Sequence, residues 1–401
     1  MFANGSTASS DFVSGETGMI VGDINGNSST SNIFGNGSIY IPNYAGSNNK
    51  SVSTNVMVDN NATESSQYLL TGLWSDSSAI TTIRLYSRNS HNFLQYSTAY
   101  LYGVTSAGYG AKATGGNYIS QDANYYYHIF TSTGTFTPTQ SLTADYLVVA
   151  GGAGGGGGNN TVGGSRSGGG GGAGGLRCTV DATGGGGNLE SPLLLSATSY
   201  SVTIGAGGAA GSTDSSGSNG SNSVFSTITA TGGGGGGRGG NGTNAGLTGG
   251  SGGGGGSSNT TPGAGGSGTA NQGYAGATAN GGNGSGGGGG AGGVGLSITT
   301  LNGTPISSPN GGIGVLTTMA ANGIATYYAG GGGGSVSRGS GLGGLGGGGN
   351  GAYGYQLNTN ATAGTPNTGG GGGGGTSNDD NGNIYASAAG GSGIVVIRYA
   401  K

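Results

Sequence analysis

The chain has 401 residues, among them 107 glycines, 7 prolines and 1 cysteine; charged residues make up 6% and the formal net charge is -3. Collagen needs glycine at every third position with abundant proline, charge-driven disorder needs a high net charge, and each interior glycine costs a helix about 1 kcal/mol relative to alanine, so none of these classes fits. Ten basic residues over this length leave no electrostatic footprint for nucleic acid or anionic lipid, and no run of about 18 apolar residues predicts membrane insertion.

Glycine is unevenly spread. Residues 1–145 hold 15 glycines and residues 146–401 hold the other 92. The step predicts an all-β chain in three parts: a β-sandwich module at 1–106, jelly-roll-like and open to N-terminal truncation, a connecting β segment at 107–144, and a glycine-rich domain at 145–401. The start, Met1 to Gly5, has no basic and apolar leader, so no signal peptide is expected. In the first part Ser53 to Val58, Ile80 to Tyr86 and Tyr96 to Val104 alternate with period two, the mark of half-buried strands. Turn signals such as Gly35-Asn36-Gly37 and Asn60-Asn61 separate them. Trp74 is expected to anchor the core of this module.

The second part alternates apolar phrases with pure glycine runs. The phrases Asp145–Ala150, Tyr200–Ile204, Val224–Ile228, Ile324–Tyr328 and Gly393–Tyr399 predict short strands. The runs include 154–158, 168–172, 232–237, 252–256, 286–290, 330–334 and 369–375. Ordering each glycine costs about 1–2 kcal/mol of backbone entropy, with no side chain to bury in return. An extended left-handed threefold helix solves the problem, because its peptide groups all point sideways and bond to neighbouring helices. The expectation is therefore a stack of polyglycine-II helices framed by strands. The polar segments Ser215–Ser223 and Ser257–Thr261 are expected to be turns between helices.

Side-chain chemistry is sparse. His91 and His128 have no Ser/Asp or Cys partner pattern, the carboxylates form no pair suited to glycoside hydrolysis, and Cys178 is alone, so no enzyme and no cofactor is expected. Asp379, Asn381 and Asn383 are spaced like the first oxygen ligands of a calcium loop, as are Asp23, Asn25 and Asn27. Both sets lack the distal Glu, and a turn is the competing reading. Tyrosine occurs 21 times against 7 Phe and 1 Trp, and tyrosine suits exposed contact surfaces. Tyr274, Tyr353 and Tyr355 lie in polar glycine-rich segments. They are candidate receptor contacts at an exposed tip; the alternative is that they staple loops onto the glycine stack.

Phe130-Thr131-Ser132-Thr133-Gly134-Thr135-Phe136-Thr137 followed by Asp145-Tyr146-Leu147-Val148-Val149-Ala150-Gly151-Gly152 resembles the opening of glycine-rich domains in tail and appendage proteins of tailed bacteriophages. Ser201–Gly208 and Gly391–Tyr399 are similar to later landmarks of the same domain. Ile41-Pro42-Asn43-Tyr44-Ala45 and Gly72-Leu73-Trp74 resemble a phage-type β-sandwich module that precedes it. The resemblance implies a virion surface protein, a tail-fibre or appendage subunit that binds a host glycan or outer-membrane protein. Fibre proteins assemble with cyclic symmetry, so a homotrimer is expected. An extracellular bacterial filament or adhesin, and an ice-binding protein, are the alternatives.

Overall fold

The structure is a computed structural model that describes residues 2–4, 7–9, 22, 35–42, 44, 47–59, 65–83, 85, 97–100 and 111–401, the last apart from 162–163, 241, 243, 259, 282–283, 299, 302–303, 306–307, 321–322, 338, 355–356 and 378–382. The chain divides into two compact units, Met1–Gly110 and Ala111–Lys401. Both are built from β-strands and extended segments, as the composition requires.

In the first unit, β1 (Phe2–Asn4), β2 (Thr7–Ser9), β3 (Asn36–Tyr40), β4 (Lys50–Asp59) and β5 (Ser65–Trp74) form one antiparallel sheet, ordered β2-β1-β5-β4-β3. The alternation in β4 is clean: Lys50, Val52, Thr54 and Val56 are buried while Ser51, Ser53, Asn55 and Met57 are exposed. The buried Lys50 ammonium donates to the carbonyls of Asp76 at 3.2 Å and Ser78 at 2.5 Å, which keeps its charge solvated by the chain itself. The described strands of this unit form a single sheet, and two expectations change here. Ile80–Ile83 and Leu85 belong to no strand, and Ile83 and Leu85 are exposed. Trp74 ends β5 with 40% of its surface exposed, so it does not anchor a core. Arg84, Tyr86, Tyr96 and the stretch 101–110 lie outside the described residues.

In the second unit two sheets pack face to face. Strands β6 (Ala113–Thr114), β7 (Tyr118–Gln121), β8 (Tyr125–Phe130), β9 (Gly134–Pro138) and β10 (Leu142–Val149) come first. The segment read as a connector thus supplies β6 to β9. A hairpin of β11 (Asn159–Thr161) and β12 (Gly164–Arg166) follows, then β13 (Leu176–Cys178), β14 (Leu193–Leu195), β15 (Tyr200–Thr203), β16 (Ser223–Phe225) and β17 (Ile228–Ala230). Four further hairpins pair β18 (Thr300–Leu301) with β19 (Thr304–Pro305), β20 (Val315–Thr317) with β21 (Thr326–Tyr328), β22 (Ser335–Val336) with β23 (Gly339–Ser340), and β24 (Thr376–Ser377) with β25 (Ile384–Tyr385); β26 (Ile394–Ala400) ends the chain. One sheet runs β13-β10-β26-β8-β7, with β14 also on β10, and the other runs β17-β16-β15-β9-β6. The phrase Val224–Ile228, expected to be one strand, is a hairpin that turns at Ser226, whose φ is 53°.

The central strands are buried on both faces. On β8, β10 and β26 the side chains of Tyr126, Phe130, Tyr146, Val148, Ile397 and Tyr399 pack against Phe136, Val202 and Phe225 of the second sheet. The alternate set, Tyr127, Ile129, Leu147, Val149 and Val396, packs against Ala173, Ala291, Val315 and Ala329. Two buried faces explain the uninterrupted apolar phrases of the sequence.

The glycine runs bond differently. Their hydrogen bonds repeat every three residues, and each third goes to a different neighbour. In 150–157, the amides of Gly151, Gly154 and Gly157 donate to the carbonyls of Ser221, Ser218 and Ser215. Those of Gly152 and Gly155 donate to Gly391 and Ala388, and those of Ala150, Ala153 and Gly156 donate to Gly175, Gly172 and Gly169, all at 2.9–3.0 Å. The same segment accepts from Gly208, Gly233 and Gly372, so it touches six neighbours. Segment 168–175 is surrounded in the same way: it donates to Gly237, Gly286 and Gly372 and accepts from Ala153, Ser251 and Gly332. A period of three is what a threefold extended helix imposes.

The close approach excludes side chains. A Cβ on Gly154, Gly155 or Gly156 would fall inside contact with the carbonyls of Ala209, Gly373 or Gly237. Ala173, Ala291 and Ala329 are tolerated because their methyls point at the apolar sheet. At the edge only one side of a segment faces the stack. Segment 215–221, expected to be a turn, bonds as a full member of it, and its inward positions Gly217 and Gly220 would meet the carbonyls of Gly154 and Gly151.

Replacing Gly236, whose Cβ would strike the carbonyl of Gly169 and lie 2.8 Å from its carbon, tests this packing. Overpacking costs about 1–3 kcal/mol or more, and at this chain size the upper value corresponds to a melting temperature lower by about 6–12 °C. Gly236→Val is expected to show that drop by calorimetry. Gly293→Ala, whose nearest neighbour is the side chain of Ile313 at 3.3 Å, is expected to melt like the parent. Equal melting of both variants would refute the steric account.

Candidate recognition surface

Interior segments bond in six directions. Segments at the rim bond in fewer, and their outward peptide groups need other partners. Side-chain amides supply several. Asn222 Oδ1 accepts from the Gly232 amide and Asn219 Oδ1 from the Gly235 amide, both at 2.9 Å. Asn310 Oδ1 accepts from Leu342, Asn350 Oδ1 from Gly343 and Asn360 Oδ1 from Ala386, at 2.8–2.9 Å. Each asparagine carbonyl stands where the carbonyl of a further segment would be. These residues read in the sequence only as turn formers. Their position beside glycines spaced three apart is the signal that identifies them.

A shallow groove of about 230 Å³ opens at this rim, lined by Asn219, Asn222, Thr231, Thr248, Ser267 and Thr269 with intervening glycines. Several of its polar groups are already used. Asn219 Nδ2 donates to the Thr248 carbonyl at 3.3 Å and Thr269 Oγ1 to the Gly249 carbonyl at 2.9 Å. The Thr231 amide donates to Gln272 Oε1 at 2.8 Å. Asn222 Nδ2, Thr248 Oγ1 and Ser267 Oγ are left without a partner among the described residues. The groove holds no charged side chain. Its chemistry is that of hydroxyls and amides, which pair with uncharged polar ligands.

Of the candidate tyrosines, Tyr274 and Tyr353 bond through their backbones to neighbouring extended segments. Tyr274 is half-buried; its amide donates to the Gly290 carbonyl and its own carbonyl accepts from Gly252, both at 3.0 Å. Its hydroxyl lies over Gly186. Tyr353 is half-buried and exchanges backbone hydrogen bonds with Thr359 at 2.9–3.0 Å. Neither tyrosine lines the groove. Tyr355, Asp379 and Asn381 lie outside the described residues, as do Asp23, Asn25, Asn27 and His91. Asn383 is described and exposed. Among the described residues no three His, Cys, Asp or Glu side chains gather to hold a metal, and no helix is long and apolar enough to cross a membrane.

Buried polar groups of this unit serve the fold. His128 is fully buried; Nδ1–H donates to the Gly115 carbonyl at 2.7 Å, and Nε2 accepts from the Tyr399 hydroxyl at 2.9 Å. Burial holds its pKa below the ordinary value and pushes that of Tyr399 up to about 12. Burial also pushes the Cys178 thiol up to about 11, far from a reactive thiolate. Arg177 forks onto Glu190 through two bonds of 2.6 Å, and the Tyr146 hydroxyl donates to the same carboxylate at 2.6 Å. Arg398 pairs with Asp145 at 2.7 Å and lies 4.1 Å from the centre of the Tyr125 ring.

A family model described as a glycine-rich domain matches residues 131–400, and the chain belongs to that family. No curated protein matches the chain.

The amide caps and the buried histidine give two tests. Asn222→Ala is expected to lower stability by about 1 kcal/mol in urea denaturation, while Asn222→Asp, which keeps the acceptor, restores most of it. Alanine and aspartate variants of equal stability would remove the capping role. For His128 the folded protein holds the neutral ring, while the unfolded chain takes up a proton near the ordinary pKa of 6.5. Stability is then full above that pH and falls as the pH drops below it, by at most about 1.4 kcal/mol per pH unit. His128→Gln is expected to flatten the melting profile in that window; an unchanged slope would mean another group titrates there.

Proposed function

We propose that this glycine-rich domain protein is a non-enzymatic structural protein of a phage virion, a tail-fibre or appendage subunit at the virion surface that binds host-cell glycans. The observation that carries the reading is the uncharged polar groove held on a rigid rim. Recognition concentrates on variable segments presented by a fixed scaffold, and here the scaffold is a hydrogen-bonded stack of mostly glycine segments. The strand phrases resembling phage appendage proteins support the same reading. We further take the runs to be polyglycine-II helices, which the three-residue hydrogen-bond repeat supports.

Hydroxyls and amides in the groove match the alternating donors and acceptors of sugar hydroxyls. Without a charged residue lining it, binding gains nothing from electrostatic steering and is expected to be insensitive to salt. The test is binding of purified protein to cell-surface polysaccharide by calorimetry or a glycan array. Thr248→Trp and Ser267→Trp, which fill the groove, are expected to weaken binding about tenfold or more, about 1.4 kcal/mol, with unchanged melting. Undiminished binding by both variants, or strong salt dependence, would exclude the groove.

A further inference from the structure

One stretch of the rim is apolar. Val294 and Leu296 lie on one edge segment, Ile313 and Leu316 on the next, and Leu342 and Leu345 on a third. These segments are neighbours in the stack. The Leu296 amide donates to the Asn310 carbonyl at 2.9 Å, the Gly311 amide to Leu342 at 2.9 Å and the Gly314 amide to Leu345 at 2.7 Å. All six side chains are between 44% and 60% exposed. Leu342 and Leu345 are three residues apart, so a threefold segment sets them in one outward line.

We infer that this apolar edge is a self-association surface that packs against the same edge of a second copy of the chain. Two observations select that occupant. The first is charge: from Gly239 to Asn378 the sequence contains a single charged residue, Arg338. An edge without charge offers nothing to an acidic or basic partner, and an identical edge brings no unmatched charge to be buried. The second is area. Six large side chains about half exposed supply on the order of 300–500 Å² of apolar surface per copy. Two such edges face to face, with their serine and asparagine surroundings, reach the ~1,000 Å² that a specific interface needs. An edge that meets its own copy closes about a twofold axis, and the pair differs in this from the threefold assembly expected of fibre proteins.

The test is sedimentation equilibrium of the full chain over a dilution series. The expected species has twice the 37.6 kDa of one chain and is insensitive to salt. The double variant Leu342→Ser, Leu345→Ser is expected to sediment as a single chain with the melting temperature of the parent. Hydrogen exchange of the unaltered protein gives a second readout, should the variant fold poorly: amides of 341–345 are expected to exchange more slowly as concentration rises. A chain that stays single at every concentration overturns the inference, whether or not another protein then binds the edge. So does an oligomer that survives the double substitution, which would place assembly on another surface.

Discussion

The rest of the structure depends on one constraint: neighbouring backbones approach so closely that a Cβ would occupy the position of a carbonyl group. Gly156 faces Gly237 and Gly236 faces Gly169 in this way. The peptide group becomes the packing unit that side chains provide in ordinary cores. A buried peptide left unpaired costs far more than a formed hydrogen bond contributes, so the stack is stable only when nearly every direction is filled. Composition follows from geometry. A segment with six neighbours is nearly all glycine, with alanine beside the sheet and a small buried serine such as Ser251 or Ser257 at an end. A segment with one side free needs glycine only at every third residue.

The sheets set the register of the stack. Strand β10 ends at Val149, and the first glycine segment begins at Ala150. Segment 168–175 leads directly into β13, the segment after β17 begins at Thr231, and the segment ending at Gly393 leads into β26. Each strand therefore fixes where a glycine segment starts, which sequence-identical residues could not do for themselves. A run of five or six glycines has no internal mark to oppose a slip by one residue. The anchoring strands, with side chains packed on both faces, supply that mark. This is also why ionic and aromatic contacts gather at the sheets, as with Arg398 between Asp145 and Tyr125.

Much of this was legible in the sequence. The glycine step separates two regimes, the apolar phrases locate the central strands, and the pure runs locate the interior of the stack. The edge was not legible in the same way. Segment 215–221 has only two glycines and reads as a polar loop, because three of its neighbours impose a spacing and not a composition. Alternation is visible in the first part, where β4 buries one face, whereas the central strands of the second part are buried on both faces and lose alternation altogether. Ile83 and Leu85 alternate with polar residues, yet they are exposed and lie in no strand. Tyr274 and Tyr353 read as free of any element because single-sequence patterns contain no sign of bonding between distant extended segments.

The division between interior and rim bears on how such a chain can vary. Interior glycines admit no change, so the stack keeps one shape. At the rim the outward residues carry side chains; some, such as Asn219 and Asn222, complete the amides of neighbouring segments, and others, such as Leu342 and Leu345, are exposed. Groove residues Thr248 and Ser267 and the apolar pair Leu342 and Leu345 occupy positions of this kind. They can be exchanged without altering the bonds beneath them, provided the asparagine caps remain. A surface that recognises a changing target gains from this arrangement, because the costs of ordering the backbone are met by bonds that no contact residue helps to form. Stability and surface chemistry then rest on different residues of the same segment, the exposed side chains on the rim and the glycine beneath them.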